Sequence, residues 1–144
     1  MPARVVTVER FIRASPYAIF DVLADPSRHA EIDGSGTVKA SRAGAPERLS
    51  LGATFGVDMQ LGLPYRIKNT VVEFEDGRLI AWRHFGGHIW RYRLEAAEGG
   101  TKVTEEFDYR RARSPILIEW LRYPQRHQPE MERTLQRLAD TVTS

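Results

Sequence analysis

The chain has no cysteine among its 144 residues. That removes disulfides, a thiolate nucleophile and any cysteine zinc site at once. No stretch approaches the ~20 apolar residues of a membrane span. The opening segment MPARVVTVERFIRA lacks the continuous apolar core of a secretory signal. Excess charge of one sign is missing too, since 21 Lys and Arg stand against 19 Asp and Glu, a net +2. The arginines are scattered among glutamates, and the one tight basic cluster is RRAR, Arg110 to Arg113. A nucleic-acid reader gathers its cations on one face, so these read as solvated surface arginines and no nucleic-acid partner is expected. There is no repeat, low-complexity tract, nucleophile elbow or His-Glu-x-x-His motif. What remains is ordinary globular composition, 42% hydrophobic and 28% charged. One soluble, cytoplasmic domain over residues 1–144 is expected, burying ~68% of its unfolded surface. No metal or cofactor is assigned.

RVVTVERFIRA is β-rich and predicts a first strand ending near Ala14. Ser15-Pro16 then starts a helix, with Ser as N-cap and Pro where a missing N–H costs nothing. Asp25-Pro26 repeats that signal for a second short helix through about Ile32. Gly34-Ser35-Gly36 follows. A phosphate loop runs strand, glycines, helix, so that helical N–H groups face the anion. Here the glycines follow a helix, so they read as a stop and turn, with Gly34 in the left-handed conformation. From Thr37 to Arg110 the chain reads as an antiparallel meander. Phe55, Val57, Met59 and Leu61 alternate with polar residues. Turns stand at EDG (75–77) and EGG (98–100). Val71 and Val72 break the alternation, so either they flank a bulge or one is exposed.

The glycines at 86–87 set a register. A three-residue loop, Phe85 to Gly87, pairs His84 with His88, Trp82 with Trp90 and Ile80 with Tyr92, all on one face. Ala81, Arg83, Ile89, Arg91 and Arg93 then take the other. A two-residue loop does not segregate apolar from charged residues in this way.

After the sheet, Ser114-Pro115 opens a helical segment whose stripe is Met131, Leu135, Leu138 and Val142. Glu130 and Glu132 are expected in a first turn after Pro129, near the positive end of the helix dipole. Pro124 and Pro129 predict either two helices or one sharply broken helix. A sheet with one aromatic face must cover it, and only the terminal helix is long enough. A curved sheet gripping one helix leaves inward residues far from it. A cavity is therefore expected between them, its mouth near the short helices.

SPYAIFDVLADPSRHAEI, LGATFGV and NTVVEFEDGRLIAW resemble the polyketide cyclase/dehydrase and lipid-transport superfamily, the START-like helix-grip proteins. The carrying positions are Ser15, Pro16, Phe20, Asp25, Pro26, Val72, Phe74 and Trp82. The resemblance implies an α+β helix-grip fold: a curved antiparallel sheet around one long C-terminal helix, with two short helices after the first strand. It leaves activity open, because members include aromatic cyclases, hydrolases, lipid carriers, plant allergens and chaperone activators.

Candidate site residues follow from the inward face. His84 and His88 would act as general acid/base, bind a divalent metal with a carboxylate, or simply cap the cavity. Glu105 shares a face with Val103, Phe107 and Tyr109. It either pairs with His84 or His88 as a proton-transfer dyad or reaches solvent near the strand end. Phe55, Met59, Trp82, Trp90, Tyr92, Phe107, Tyr109 and Trp120 are the expected ligand contacts. The favoured function is binding of a hydrophobic or aromatic small molecule. The alternative is a cyclase/dehydratase using His or Glu proton transfer, and a protein-docking role comes after both. Ile89, exposed on the arginine-rich face, leaves room for a homodimer through the sheet edge.

Overall fold

The computed structural model describes residues 4–34, 38–41, 47–61, 63–84, 87–120 and 123–143, without side chains at 38–41, 57–61, 63–66, 123 and 126. Strand β1 (Val5–Ile12) leads to helix α1 (Pro16–Leu23), then a single 3₁₀ turn (Pro26–Arg28) and the short α2 (His29–Ile32). Both start signals act as read. Ser15 accepts a hydrogen bond from the Ala18 N–H at 3.2 Å, and Asp25 accepts from the Ser27 N–H at 3.0 Å. The meander comprises β2 (Val38–Ser41), β3 (Thr54–Leu61), β4 (Leu63–Glu75), β5 (Leu79–His84), β6 (Ile89–Ala97) and β7 (Gly100–Asp108). Helices α3 (Pro115–Trp120) and α4 (Tyr123–Thr143) close the chain.

The strands form one seven-stranded antiparallel sheet in the order β1-β7-β6-β5-β4-β3-β2. Bringing β7 beside β1 places the first and last strands together, under the terminal helix. The hairpin register is the expected one: Ile80 pairs with Tyr92 and Trp82 with Trp90. His84 N–H donates to the His88 carbonyl at 2.9 Å, and Gly87 takes the left-handed φ of 96° that the three-residue loop requires. Phe85 and Gly86 lie outside the described residues. The Val71–Val72 ambiguity resolves as a bulge. Val71 pairs with Trp82 and Glu73 with Ala81, leaving Val72 as the extra residue. The bulge switches parity, so that Val71 and Phe74 both face inward.

The described terminal residues fall in helices α3 and α4, residues 121–122 lying outside the described residues, and neither proline ends α4. Pro124 stands at the start of α4, where its N–H would be an orphan anyway. Pro129 lies inside α4 without ending it. Its missing donor orphans only the carbonyl of Gln125, and both residues are exposed, so water satisfies it. Glu130 and Glu132 therefore sit well inside α4 rather than in a first turn. The apolar stripe is in place: Met131, Leu135 and Leu138 are fully buried and Val142 packs at the margin. Ile89 lies on β6, an inner strand and not a sheet edge, so edge pairing through it is ruled out by topology.

Two covers share the inner face. Helix α4 lies on β1 and β7, while α1 and α2 lie beside it. Over the rest of that face, Phe20 of α1 meets Phe74 edge-on at 5.4 Å and His29 of α2 stacks on Trp82 at 4.9 Å. The covers join at Gly34. Its N–H donates to Thr134 Oγ1 at 2.8 Å, and Arg133 Nε donates to its carbonyl at 3.0 Å. Gly34 follows the end of α2 in a turn, as read, but it is not left-handed, a correction to that part of the expectation. It is needed because a Cβ there would lie 2.2 Å from the Glu130 carbonyl oxygen and 2.5 Å from the Thr134 nitrogen. Ser35 and Gly36 lie outside the described residues. Gly34→Ala should cost on the order of 1–3 kcal/mol, since only backbone movement relieves the clash. Denaturant unfolding measures this, and an unchanged midpoint would refute the close docking.

Candidate functional site

The inner face carries its side chains in rows set by strand pairing. One row runs Phe74, Ile80, Tyr92, Glu105, Val8, and the next Val71, Trp82, Trp90, Phe107, Val6. A third ends at His84, His88 and Tyr109. Phe55, Trp82, Tyr92, Phe107 and Tyr109 are buried, and Trp90 is half-buried. Met59 lies on β3, but its side chain is outside the described residues. Trp120 does not join the set. It is 78% exposed on the outer side of α3, which corrects its assignment to the interior.

The rings close on one another. Trp82 packs edge-on to Phe55 at 5.5 Å and against Tyr92 at 5.6 Å, and Phe107 meets Trp90 at 4.8 Å. Near the expected cavity mouth, His29 of α2 packs on Phe55 at 5.5 Å as well as on Trp82. A groove of about 440 Å³ lies instead between β1 and α4. Thr7, Glu9, Arg10, Gln128 and Glu132 line it around Val8 and Leu135. Val8 is the direct cross-strand neighbour of Glu105, and opposed residues stand ~5 Å apart at Cβ. Glu105 itself is not among the residues that line the groove.

Glu105 is the chemically unusual group. It is 2% exposed, so the solvent-reaching reading is wrong. Tyr92 is its direct cross-strand neighbour on β6, and Oε1 is buried with no hydrogen-bond partner among the described residues. Burial raises its pKa to about 8, Tyr92 opposes the rise, and nearby Asp33 adds to it. The phenol of Tyr92 is in turn raised, first by its own burial and then by Glu105. At neutral pH this is a protonated carboxylic acid held among rings. The two histidines lie elsewhere. Ile89 pairs with Asp108 and Tyr92 with Glu105, so His88 is four positions from Tyr92 along β6, ~13 Å at 3.3 Å per residue. A direct Glu105–His88 dyad does not form.

His84 and His88 stack at 4.4 Å with planes 14° apart. Burial lowers both, and His88 falls to about 3 with further help from His84 and His127. His88 also meets Phe107 at 5.3 Å in a tilted ring contact. His29 and His127 belong to the same surface and carry no sequence signal of it. His29 holds its proton on Nε2 toward the Leu23 carbonyl at 2.8 Å while stacking on Trp82, and burial lowers its pKa. His127 of α4 covers Phe107 at 4.7 Å and pairs with Glu130 at 3.3 Å. Among the described residues no cluster of three or more His, Asp or Glu is arranged to hold a metal ion.

Known proteins share this fold. The sequence profile described as polyketide cyclase / dehydrase and lipid transport matches residues 3–143. An uncharacterized protein of Mycobacterium tuberculosis, Rv0088, is 44% identical over 102 residues, covering 69% of this chain and 45% of that protein. The chain thus spans about half the length of that curated relative. Protein CV1439 of Chromobacterium violaceum superposes with a TM-score of 0.75 at 16% identity, over 100% of this chain and 99% of the other. The Aha1 dimer of Colwellia psychrerythraea gives 0.64 at 14% identity, over 96% and 95%. Likeness at that level of identity shows shared fold alone.

Glu105 also sets a pH dependence. Its folded-state value of about 8 lies above the ordinary 4.5, so the folded chain keeps a proton that the unfolded chain releases. The contribution is complete below pH 4.5 and is lost as pH rises through 8. Wild type should lose stability relative to Glu105→Gln by roughly 1 kcal/mol per pH unit between about pH 5 and 8. Urea unfolding of both proteins across that range measures the difference. A difference that stays flat would mean the carboxyl is ionised inside.

Proposed function

The chain belongs to the polyketide cyclase/dehydrase and lipid transport family, and from that premise we propose that it binds a hydrophobic or aromatic small molecule carrying one polar group. The guest lies on the inner face beside Tyr92 and Glu105, and the β1–α4 groove is its way in. The observation that carries this reading is the buried, partnerless Oε1 of Glu105. Leaving such an atom unpaired costs roughly 1–3 kcal/mol, and a ligand hydroxyl or carbonyl would recover it. The surrounding rings offer large, flat contact area for the rest of the guest. Because those rings already touch, binding displaces ring contacts rather than filling a standing hole.

Matched probes test this. 1-Naphthol and 1-methylnaphthalene share a ring system and differ in the hydroxyl. Titration followed by the indole N–H signals of Trp82 and Trp90 should show 1-naphthol binding more tightly in wild type. Glu105→Leu should weaken 1-naphthol roughly tenfold, the worth of one hydrogen bond at ~1.4 kcal/mol, and leave 1-methylnaphthalene unchanged. If neither probe moves the two indoles, the inner face is only core.

One observation favours a second reading. Glu105 keeps its proton up to about pH 8 beside Tyr92, where a carboxylic acid serves as a general acid under neutral conditions. A cyclase/dehydratase would use it to protonate a carbonyl or leaving hydroxyl of a chain folded against the rings. His84 and His88 would act, if at all, at the far end of the same guest. Mass analysis of material held by the protein for hours separates the readings. Unchanged guest supports binding, and loss of one water supports dehydration.

A further inference from the structure

Helix α3 is amphipathic in the wrong sense for a helix resting on a protein. Its one charged residue, Glu119, is turned inward, accepting from the Tyr109 hydroxyl at 3.1 Å and pairing with Arg4 at 3.3 Å. Ile118 packs on the core. The other large apolar residues point out: Ile116 is 72% exposed, Leu117 50% and Trp120 78%. At 100° per residue, positions 116, 117 and 120 fall within one 100° arc, so they make a single apolar face.

Its flanks are cationic. Arg111 and Arg113 are exposed immediately before the helix. Over residues 110–126 the sequence carries five arginines, 110, 111, 113, 122 and 126, against Glu119 alone. Glu119 is already neutralised by Arg4, and of the described arginines before the helix Arg110 is committed, to Asp108, while Arg111 and Arg113 are exposed.

We propose that α3 and its flanking arginines form a docking surface for an anionic phospholipid bilayer. Trp120, Ile116 and Leu117 enter the headgroup–acyl boundary while the arginines take lipid phosphates. Charge selects this occupant. Tryptophan prefers the interfacial depth, and guanidinium groups fork onto phosphate. An anionic leaflet attracts basic segments, which then hold a short apolar face that could not stay bound alone. A second copy of the chain is a poorer partner, because a two-fold axis through this face sets the arginines of one protomer against the same arginines of the other. No helix of the described residues is long and apolar enough to cross a membrane, so the contact is peripheral. It does not depend on what the interior binds.

Flotation with vesicles of phosphatidylcholine alone, and with 30% phosphatidylglycerol added, tests it on the whole chain. Wild type should float at least several-fold better with the anionic vesicles at low salt and lose that binding at high salt. Its tryptophan emission should shift to the blue on binding, as Trp120 leaves water. Trp120→Ser should abolish the shift and lower the bound fraction several-fold, and Arg111→Glu with Arg113→Glu should lower it as strongly. All three side chains are exposed, so folding survives, which circular dichroism checks. Equal binding to both vesicle types, or a Trp120→Ser variant that floats like wild type, would overturn the proposal. So would a wild-type dimer in sedimentation that Trp120→Ser converts to monomer, because a second copy would then cover the face.

Discussion

A sheet of this width cannot be covered by one helix, and the architecture answers that mismatch. Seven strands at ~4.8 Å spacing make a platform near 30 Å across, while a helix with side chains is only ~10 Å thick. Helix α4 therefore covers β1 and β7, and α1 with α2 must cover what is left. The seam between the covers is the Gly34–Thr134 contact, flanked by Arg137 donating to the Asp33 carbonyl at 2.8 Å. Asp33, one residue from that seam, is also near enough to Glu105 to raise its pKa. The joint of the covers and the polar centre of the inner face are thus one neighbourhood.

Among the described residues no helix lies on the opposite face, and charged side chains cover it. Arg91 is 6% exposed although it points away from the core. It reaches Glu73 at 2.6 Å, Asp108 at 3.2 Å and Glu106 at 3.5 Å, and Arg93 adds a bond to Glu106 at 2.9 Å. Asp108 is held down to about 2: burial pushes its pKa up, and hydrogen bonds from Arg110 and Arg91 more than offset that. A carboxylate lowered in this way supports the fold above its ordinary 3.8 and gives up that support as pH falls toward 2. Long aliphatic stems beneath paired charges shield Ala81, which is fully buried on this face. An alternation of arginine with apolar residues marks the outward side correctly and still says nothing of how dry that side is.

What the residues disclose in advance is local. Ser15-Pro16 and Asp25-Pro26 act within three residues, and the Gly87 hairpin fixes its register through nearest neighbours alone. The stripe on α4 reads correctly because 3.6-residue periodicity survives Pro129, whose cost depends on whether the orphaned carbonyl meets water. The Val72 bulge is visible only as an ambiguity, since either valine could be the extra residue until Trp82 is paired. Trp120 fails for a tertiary reason. Its helix is turned by Glu119, gripped by Tyr109 ten residues before it and by Arg4 at the other end of the sequence. Gly34 fails likewise, its need set by a backbone one hundred residues on. Glu105 was recognisable as an inward carboxylate, but its partner was not. Only the pairing of β6 with β7 brings Tyr92 to it and keeps the histidines four positions away.

Two places break the usual rules of burial, and the end of the sheet ties them together. Glu105 is a carboxyl where leucine would pack without desolvation cost, and α3 shows water the face that helices normally hide. Local conflicts of this kind weaken folding and are expected where function constrains the chain. Both hang on β7 and its continuation. Glu105 lies on the strand, and Tyr109, just past its end, holds Glu119 inward while its ring stacks on Phe107 at 5.6 Å. Phe107 in turn touches Trp90 and His127. An unbroken line of ring contacts therefore runs from the inner face to the anchor of the exposed helix.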